Sequence, residues 1–136
     1  MPAPSPAMVR RLATAARRAA ACAYAPYSEF SVGAAVLTAK GKVFSGCNVE
    51  NASYGLCNCA ERTAIFSAVA AGHRRITCVA VYTPTGKPTA PCGACRQVIY
   101  EFGPGARVIS LCDGRERIDA PIGDLLPRAF GPADLA

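Results

Sequence analysis

Two short segments of this 136-residue chain place three cysteines where helices are predicted to begin. The first segment is 58–62, NCAER, and the second is 91–96, PCGACR. Cys92 and Cys95 are one helical turn apart, so both sulfurs can face one ion, and Cys59 can supply a third ligand. Unsatisfied amides and the helix dipole favour thiolates at helix N-termini. The spacing therefore predicts that two helices meet at one zinc ion whose fourth position is open for catalysis.

Glu61 follows Cys59 by two residues, in the first turn of the same predicted helix. Its carboxylate can lean toward the open side of the metal without ligating it. A zinc-bound water is acidified to near neutral pH, and a neighbouring carboxylate can pass its proton to a substrate nitrogen. A zinc-bound water beside a carboxylate is suited to hydrolytic attack on an electron-poor carbon that carries an amine. The same order of residues occurs in zinc nucleobase deaminases.

The eight cysteines do not indicate a disulfide framework, which is typical of small secreted chains that lack a core. This chain is 51% hydrophobic and can bury a core of its own. We therefore expect the reducing cytosol and a cytoplasmic location. Four cysteines lie away from the two segments and are interpreted as small buried core residues: Cys22, Cys47, Cys78 and Cys112.

The net charge of +6 raises the question of nucleic acid as a partner. Aromatic residues are only 7% of the chain, tryptophan is absent, and the basic residues are spread along the sequence. We therefore expect no nucleic-acid partner. Apolar stretches such as 32–37 are far shorter than a membrane span requires, which predicts no membrane partner.

Hydrophobic periodicity predicts strands that alternate with helices. The N-terminal segment has four arginines and no acidic residue before Glu29, as organellar transit peptides do, but Val9, Leu12 and Ala16 at helical spacing favour an integral first helix. The alternation predicts one layered α/β domain over residues 1–136, with an antiparallel hairpin first and a parallel crossover later. The predicted elements are a first helix, strands at 30–37 and 43–44, a helix at 59–71, a strand at 76–82, a helix at 92–102, a strand at 107–112 and a short helix at 122–127.

Five motif-like segments follow one another along the chain: 24–35 (YAPYSEFSVGAA), 46–55 (GCNVENASYG), 59–64 (CAERTA), 91–97 (PCGACRQ) and 125–130 (LLPRAF). In this order the chain resembles the small homotetrameric zinc-dependent cytidine deaminases. The resemblance implies a three-layer α/β/α domain with a mixed sheet of about five strands. It also implies hydrolysis of cytidine and deoxycytidine to uridine and deoxyuridine with release of ammonia, a reaction of pyrimidine salvage.

The resemblance assigns a role to each matching residue. One Zn²⁺ per chain is held by Cys59, Cys92 and Cys95, and a zinc-bound hydroxide attacks C4 while Glu61 shuttles the proton. Arg62 offsets the charge of the thiolates. The implied partners are a pyrimidine nucleoside and three further copies of the chain. Residues that contact substrate are Asn48 and Glu50 at the ribose, Phe30 and the Ala60 backbone at the base, Ala52 and Tyr54 from one neighbouring subunit, and Phe130 from another.

Three alternatives remain open from the sequence. Cys57 with Cys59, Cys92 and Cys95 could form a closed four-sulfur site, and Glu61 would then be an ordinary first-turn residue of a zinc module that binds nucleic acid. A second alternative is a zinc deaminase of another aminopyrimidine nucleoside, of the antibiotic type, or of a free or RNA-borne base. A third is a thiol redox protein in which Cys92 and Cys95 form a reversible disulfide. The sequence leaves a direct role of Arg96 undecided, although its charge lies beside the sulfurs.

Overall fold

One mixed sheet organises residues 3–136, the part of the chain that the computed structural model describes. The strand order is β2-β1-β3-β4-β5, and only β3 and β4 run parallel. The strands are β1 (Gly33–Thr38), β2 (Val43–Cys47), β3 (Ile76–Tyr82), β4 (Arg107–Leu111) and β5 (Ile118–Pro121). The helices are α1 (Pro6–Ala20), α2 (Ala60–Ala70), α3 (Gly93–Phe102) and the single turn α4 (Ile122–Leu125).

The two faces of the sheet bury two separate apolar clusters. Strand β1 is buried along its whole length, and its side chains alternate between the faces. Ala35 and Leu37 pack with Leu12 of α1, whereas Val36 packs with Ile65 of α2 on the opposite face. Helix α3 lies on the same side as α2. This arrangement confirms the expected three-layer α/β/α architecture and its mixed five-stranded sheet.

Helix α1 begins where local chemistry predicts a helix start. Ser5 is the N-cap, its hydroxyl accepts a hydrogen bond of 3.1 Å from the Met8 amide, and Pro6 occupies the first turn. Leu12 and Ala16 are fully buried against the sheet, so the predicted integral first helix is confirmed. Residues 1 and 2 lie outside the described part of the chain. Within residues 3–136, no helix combines the length and apolar character that crossing a bilayer requires.

The structure differs from the sequence prediction in two strands. Strand β1 starts at Gly33 instead of residue 30, because the Asn48 side chain binds the backbone at Phe30 and Val32. Strand β5 was missed altogether. It is a four-residue edge strand with one exposed face and a proline at its end, so the stretch is too short to show a period.

The cysteines outside the two motif segments differ in burial. Cys78 and Cys112 are buried, as predicted, and burial raises the pKa of the Cys78 thiol to about 12. Cys47 is half-buried, and its thiol donates to the Cys22 carbonyl at 3.5 Å. Cys22 is exposed, so its interpretation as a buried core residue is wrong. It follows the end of α1, where the chain leaves the sheet.

Gly33→Ala is expected to destabilise the fold by about 3 kcal/mol or more, because α1 lies directly against this backbone. A Cβ atom at residue 33 would stand 1.9 Å from the Ala16 carbonyl oxygen and 2.5 Å from the Ala20 amide nitrogen. Urea denaturation measures the loss. Gly86→Ala is the matched control, since a Cβ there meets nothing within 4 Å. Equal stability of the two variants would contradict the close packing of α1 on β1.

Candidate metal centre and active site

The N-termini of α2 and α3 meet at three sulfur atoms. Cys59 is the N-cap of α2 and Cys92 is the N-cap of α3, both with extended backbone, and Cys95 lies in the first turn of α3. The Sγ atoms of Cys59, Cys92 and Cys95 lie within 4.8 Å of one another. The structure thus brings together the three cysteines that the sequence predicted as ligands.

The spacing of these sulfurs fits a zinc ion. Tetrahedral coordination with Zn–S bonds of about 2.3 Å places two sulfurs about 3.8 Å apart. The Sγ atoms of Cys59 and Cys92 are 3.8 Å apart. Three thiolates complete three corners of such a tetrahedron, which leaves the fourth for a further ligand.

Hydrogen bonds stabilise negative charge on Cys59. The bond from the Cys95 thiol, followed by those from Arg62 and Cys92, outweighs burial and lowers the pKa of Cys59 to about 5. The same bond to Cys59, together with burial, raises the pKa of the Cys95 thiol. The Nη2 atom of Arg62 donates to Cys59 Sγ at 3.2 Å. Arg62 therefore stands where a cation offsets thiolate charge.

Cys57 lies outside the three-sulfur cluster. Its Sγ accepts from the Asn51 amide at 3.3 Å and lies 3.6 Å from the Asn51 carbonyl oxygen, to which the thiol donates. These contacts hold the side chain within the 51–57 loop. Among residues 3–136, the cluster that could hold a metal consists of Cys59, Cys92 and Cys95. The geometry therefore argues against the closed four-sulfur alternative.

Glu61 is a buried carboxyl group beside the metal cluster. The residue is 4% exposed and, with Cys59 and Cys92, lines a cavity of about 200 Å³. Burial raises the pKa of this carboxyl above its usual range, and the negative charge of Cys59 acts in the same direction. A carboxyl group with a raised pKa can take up and release a proton near neutral pH.

The cavity also gathers most of the predicted substrate residues. Phe30, Asn48, Glu50 and Ala60 line it together with Glu61. Six further residues line the cavity without having been predicted from the sequence. Val81 and Thr83 lie at the carboxyl end of the predicted strand 76–82, where ligands bind in open α/β sheets, so their position could have indicated them. The missed residues are Ser28, Val32, Val81, Thr83, Thr89 and Ala90.

Asn48 and Glu50 both bind the backbone of the segment 27–32. The Asn48 side chain accepts from the Val32 amide at 2.8 Å and donates to the Phe30 carbonyl at 2.7 Å. The Glu50 carboxylate accepts from the amides of Tyr27 and Ser28 and from the Ser28 hydroxyl. These bonds fix the rim of the cavity and orient both polar side chains.

The three residues expected to act on neighbouring subunits lie outside this cavity. Ala52 is exposed, and Tyr54 is 73% exposed and lines an adjoining depression with Tyr27, Ser28 and Glu50. Phe130 is 59% exposed, and its carbonyl accepts from the Gln97 side chain at 2.8 Å. Within one chain, Tyr54 therefore meets Glu50 only in the adjoining depression, and Ala52 and Phe130 line neither hollow.

Arg96 has a contact pattern that the sequence did not reveal. Its Nε donates to the Pro91 carbonyl at 2.8 Å and its Nη1 donates to the Leu125 carbonyl at 2.9 Å. The guanidinium, whose direct role the sequence left undecided, is held by these two backbone carbonyls. Arg96 thus ties the residue before Cys92 to the end of α4.

Comparisons with known proteins agree with this geometry. A family model described as the cytidine and deoxycytidylate deaminase zinc-binding region matches residues 7–111. A protein named cytidine deaminase from Sporosarcina psychrophila is 45% identical over 129 residues, which are 94% of this chain and 95% of that protein. A cytidine deaminase from Mycobacterium tuberculosis (strain ATCC 25618 / H37Rv) is 46% identical and covers 88% of this chain and 87% of its own length.

A solved structure gives the same result for the fold. The crystal structure of cytidine deaminase from Burkholderia pseudomallei superposes with a TM-score of 0.85 and 56% sequence identity. The match covers 89% of this chain and 98% of that one. With the family model matching well over half of the sequence, the chain belongs to the family of zinc-dependent cytidine and deoxycytidylate deaminases.

Proposed function

We propose that this chain hydrolyses the 4-amino group of cytidine and deoxycytidine, consuming water and giving uridine or deoxyuridine and ammonia. The observation that carries the proposal is the buried carboxyl of Glu61, which shares one cavity with Cys59, Cys92, Asn48 and Glu50. The relatives described above are named cytidine deaminases, which supports the same substrate class.

Cys59, Cys92 and Cys95 would hold the zinc ion, and the chain supplies proton transfer. When bound, zinc supplies a Lewis acid that makes water nucleophilic near neutral pH. Glu61 takes a proton from the attacking water and delivers it to N3 of the pyrimidine. It then moves the other proton of that water from the oxygen now bonded to C4 to the 4-amino nitrogen. The C4–N bond breaks, ammonia leaves and the C4 carbonyl of the product forms. Its burial keeps bulk water from competing for these protons.

The polar rim of the cavity is suited to a nucleoside. Asn48 offers an amide and Glu50 a carboxylate, which together can donate to and accept from the two ribose hydroxyls. Phe30 packs on the pyrimidine, and the Ala60 backbone binds its polar edge. The carboxylate of Glu50 would also repel a phosphate group, which favours nucleosides over nucleotides.

The proposal includes a homotetramer with shared active sites. Ala52 and Tyr54 from one neighbour and Phe130 from another would complete the cavity of each subunit. Tyr54 is 73% exposed and its ring lies 5.9 Å from that of exposed Tyr27, and Phe130 is 59% exposed. Contiguous exposed apolar surface, such as the pair of tyrosines, is typical of an interface and supports this assembly. The depression at Tyr54 adjoins Glu50, so a partner seated there would reach the substrate.

Zinc content and ammonia release test the proposed function together. The purified protein is expected to contain one zinc per chain and to convert cytidine and deoxycytidine. The decrease in cytidine absorbance measures this conversion. Zinc without turnover of either nucleoside would overturn the proposal. Salt-dependent RNA binding without ammonia release would favour the zinc-module alternative, and turnover confined to another aminopyrimidine nucleoside would favour the antibiotic-type deaminase.

A further inference from the structure

The rim of the cavity contains a backbone conformation that side chains rarely adopt. Glu29, which lies between Ser28 and Phe30, has a φ of 56°. A non-glycine residue in this left-handed region costs free energy and persists only where surrounding contacts hold it. The hydrogen bonds of the residues that flank Glu29 therefore show which side chains this conformation serves to position.

The Ser28 hydroxyl makes two of these contacts. It donates a hydrogen bond to Glu50 Oε2, and it accepts one of 3.1 Å from the Phe30 amide. The hydroxyl has a single proton, so the donor and acceptor roles are both assigned by these bonds. Ser28 thus connects the carboxylate placed at the ribose with the backbone of the aromatic residue placed at the base.

The bonds that Glu50 accepts from residues 3–136 leave one of its acceptor directions available to a ligand. Its Oε1 accepts from the Tyr27 amide at 3.0 Å and from the Ser28 amide at 3.1 Å. Each carboxylate oxygen has about two acceptor positions, so the unfilled one lies on Oε2, beside the Ser28 hydroxyl. The Ser28 hydroxyl bond, followed by the two backbone bonds, also lowers the pKa of Glu50. The carboxylate is therefore charged and oriented before a ligand arrives.

We propose that Ser28 is a positioning residue for nucleoside recognition, acting through Glu50 on the ribose and through the Phe30 backbone on the base. The inference rests on the proposed function, because it takes a nucleoside as the ligand of this cavity. Ser28 touches neither the reacting atoms nor the metal ligands in this role. Its loss is therefore expected to weaken binding more than turnover.

Ser28→Ala is expected to weaken uridine binding about tenfold, because one charge-assisted hydrogen bond and one amide acceptor disappear. Binding is measured by calorimetry with uridine and with 2′,3′-dideoxyuridine, which lacks the hydroxyls that Glu50 would bind. The loss is expected to be less than about threefold for the dideoxy ligand. In cytidine turnover, KM rises by about tenfold while kcat changes by less than about threefold.

Two further variants separate positioning from folding. Ser28→Thr keeps the hydroxyl and is expected to restore uridine binding, whereas Ser31→Ala removes a hydroxyl in the same segment and is expected to leave it unchanged. Equal weakening for both ligands, or a fall in kcat that parallels a fall in the unfolding midpoint, would overturn the proposal for Ser28. Nucleoside binding without ammonia release from wild type would overturn the proposed function alone, because the calorimetric comparison still decides the role of Ser28. Wild type that binds neither ligand would overturn both.

Discussion

Glu61→Gln is expected to lower cytidine turnover by about a thousandfold while the protein keeps its zinc. The amide has nearly the shape of the carboxyl group but cannot take a proton from water and deliver it to N3. Because Glu61 is a neighbour of the cysteines and not one of the three, the metal cluster stays intact. Ammonia release and metal analysis of the same preparation measure the two quantities.

Glu101→Gln is the matched control for this experiment. Glu101 is exposed near the end of α3, far along the helix from its cysteine-bearing N-terminus, so turnover is expected to remain at the wild-type level. Near-normal turnover of Glu61→Gln would contradict proton transfer by this side chain. Loss of zinc together with activity would instead assign Glu61 to the metal site itself.

Cys95→Ser is expected to abolish both zinc binding and activity. The serine oxygen is a far weaker zinc ligand than a thiolate, and two remaining cysteines cannot close a three-sulfur site. Cys95 is fully buried, so the new hydroxyl also lacks a water partner and costs about 1–3 kcal/mol of stability. Zinc per chain, ammonia release and urea denaturation report the three effects.

Cys57→Ser supplies the comparison for the cysteine variant. A serine at this position can still accept from the Asn51 amide and donate to its carbonyl, so the 51–57 loop is expected to keep its shape. Zinc content and turnover should match wild type. Zinc loss in Cys57→Ser, or retained zinc in Cys95→Ser, would contradict the three-cysteine centre.

The metal cluster could be predicted because its three cysteines lie in two short, recognisable sequence segments. The helix N-termini at Cys59 and Cys92, with Cys95 one turn later, can be recognised from two short segments of sequence. The fold has only to place these two segments next to each other. Glu61 follows from the first of these segments. The alternation of strands and helices likewise predicted the layered sheet, since each long strand is a continuous apolar run that can be recognised on its own.

The contacts at the rim could not be read from the sequence in this way. Ser28 meets Glu50 across 22 residues, and Arg96 meets Leu125 across 29. Such pairs depend on how the sheet, α3 and the C-terminal segment are placed, and a single serine or arginine gives no periodic signal. Strand β5 was missed for a related reason, because its hydrogen bonds to β4 define it more than its own composition does.

Helix α3 supports more than the metal. Its first turn carries Cys95, the next residue Arg96 holds the Leu125 carbonyl, and Gln97 holds the Phe130 carbonyl. Two side-chain hydrogen bonds therefore connect the cysteine-bearing first turns of α3 directly to the C-terminal segment. Trimming or fusing the chain near its C-terminus is consequently an intervention at the zinc centre, although the two regions are distant in sequence.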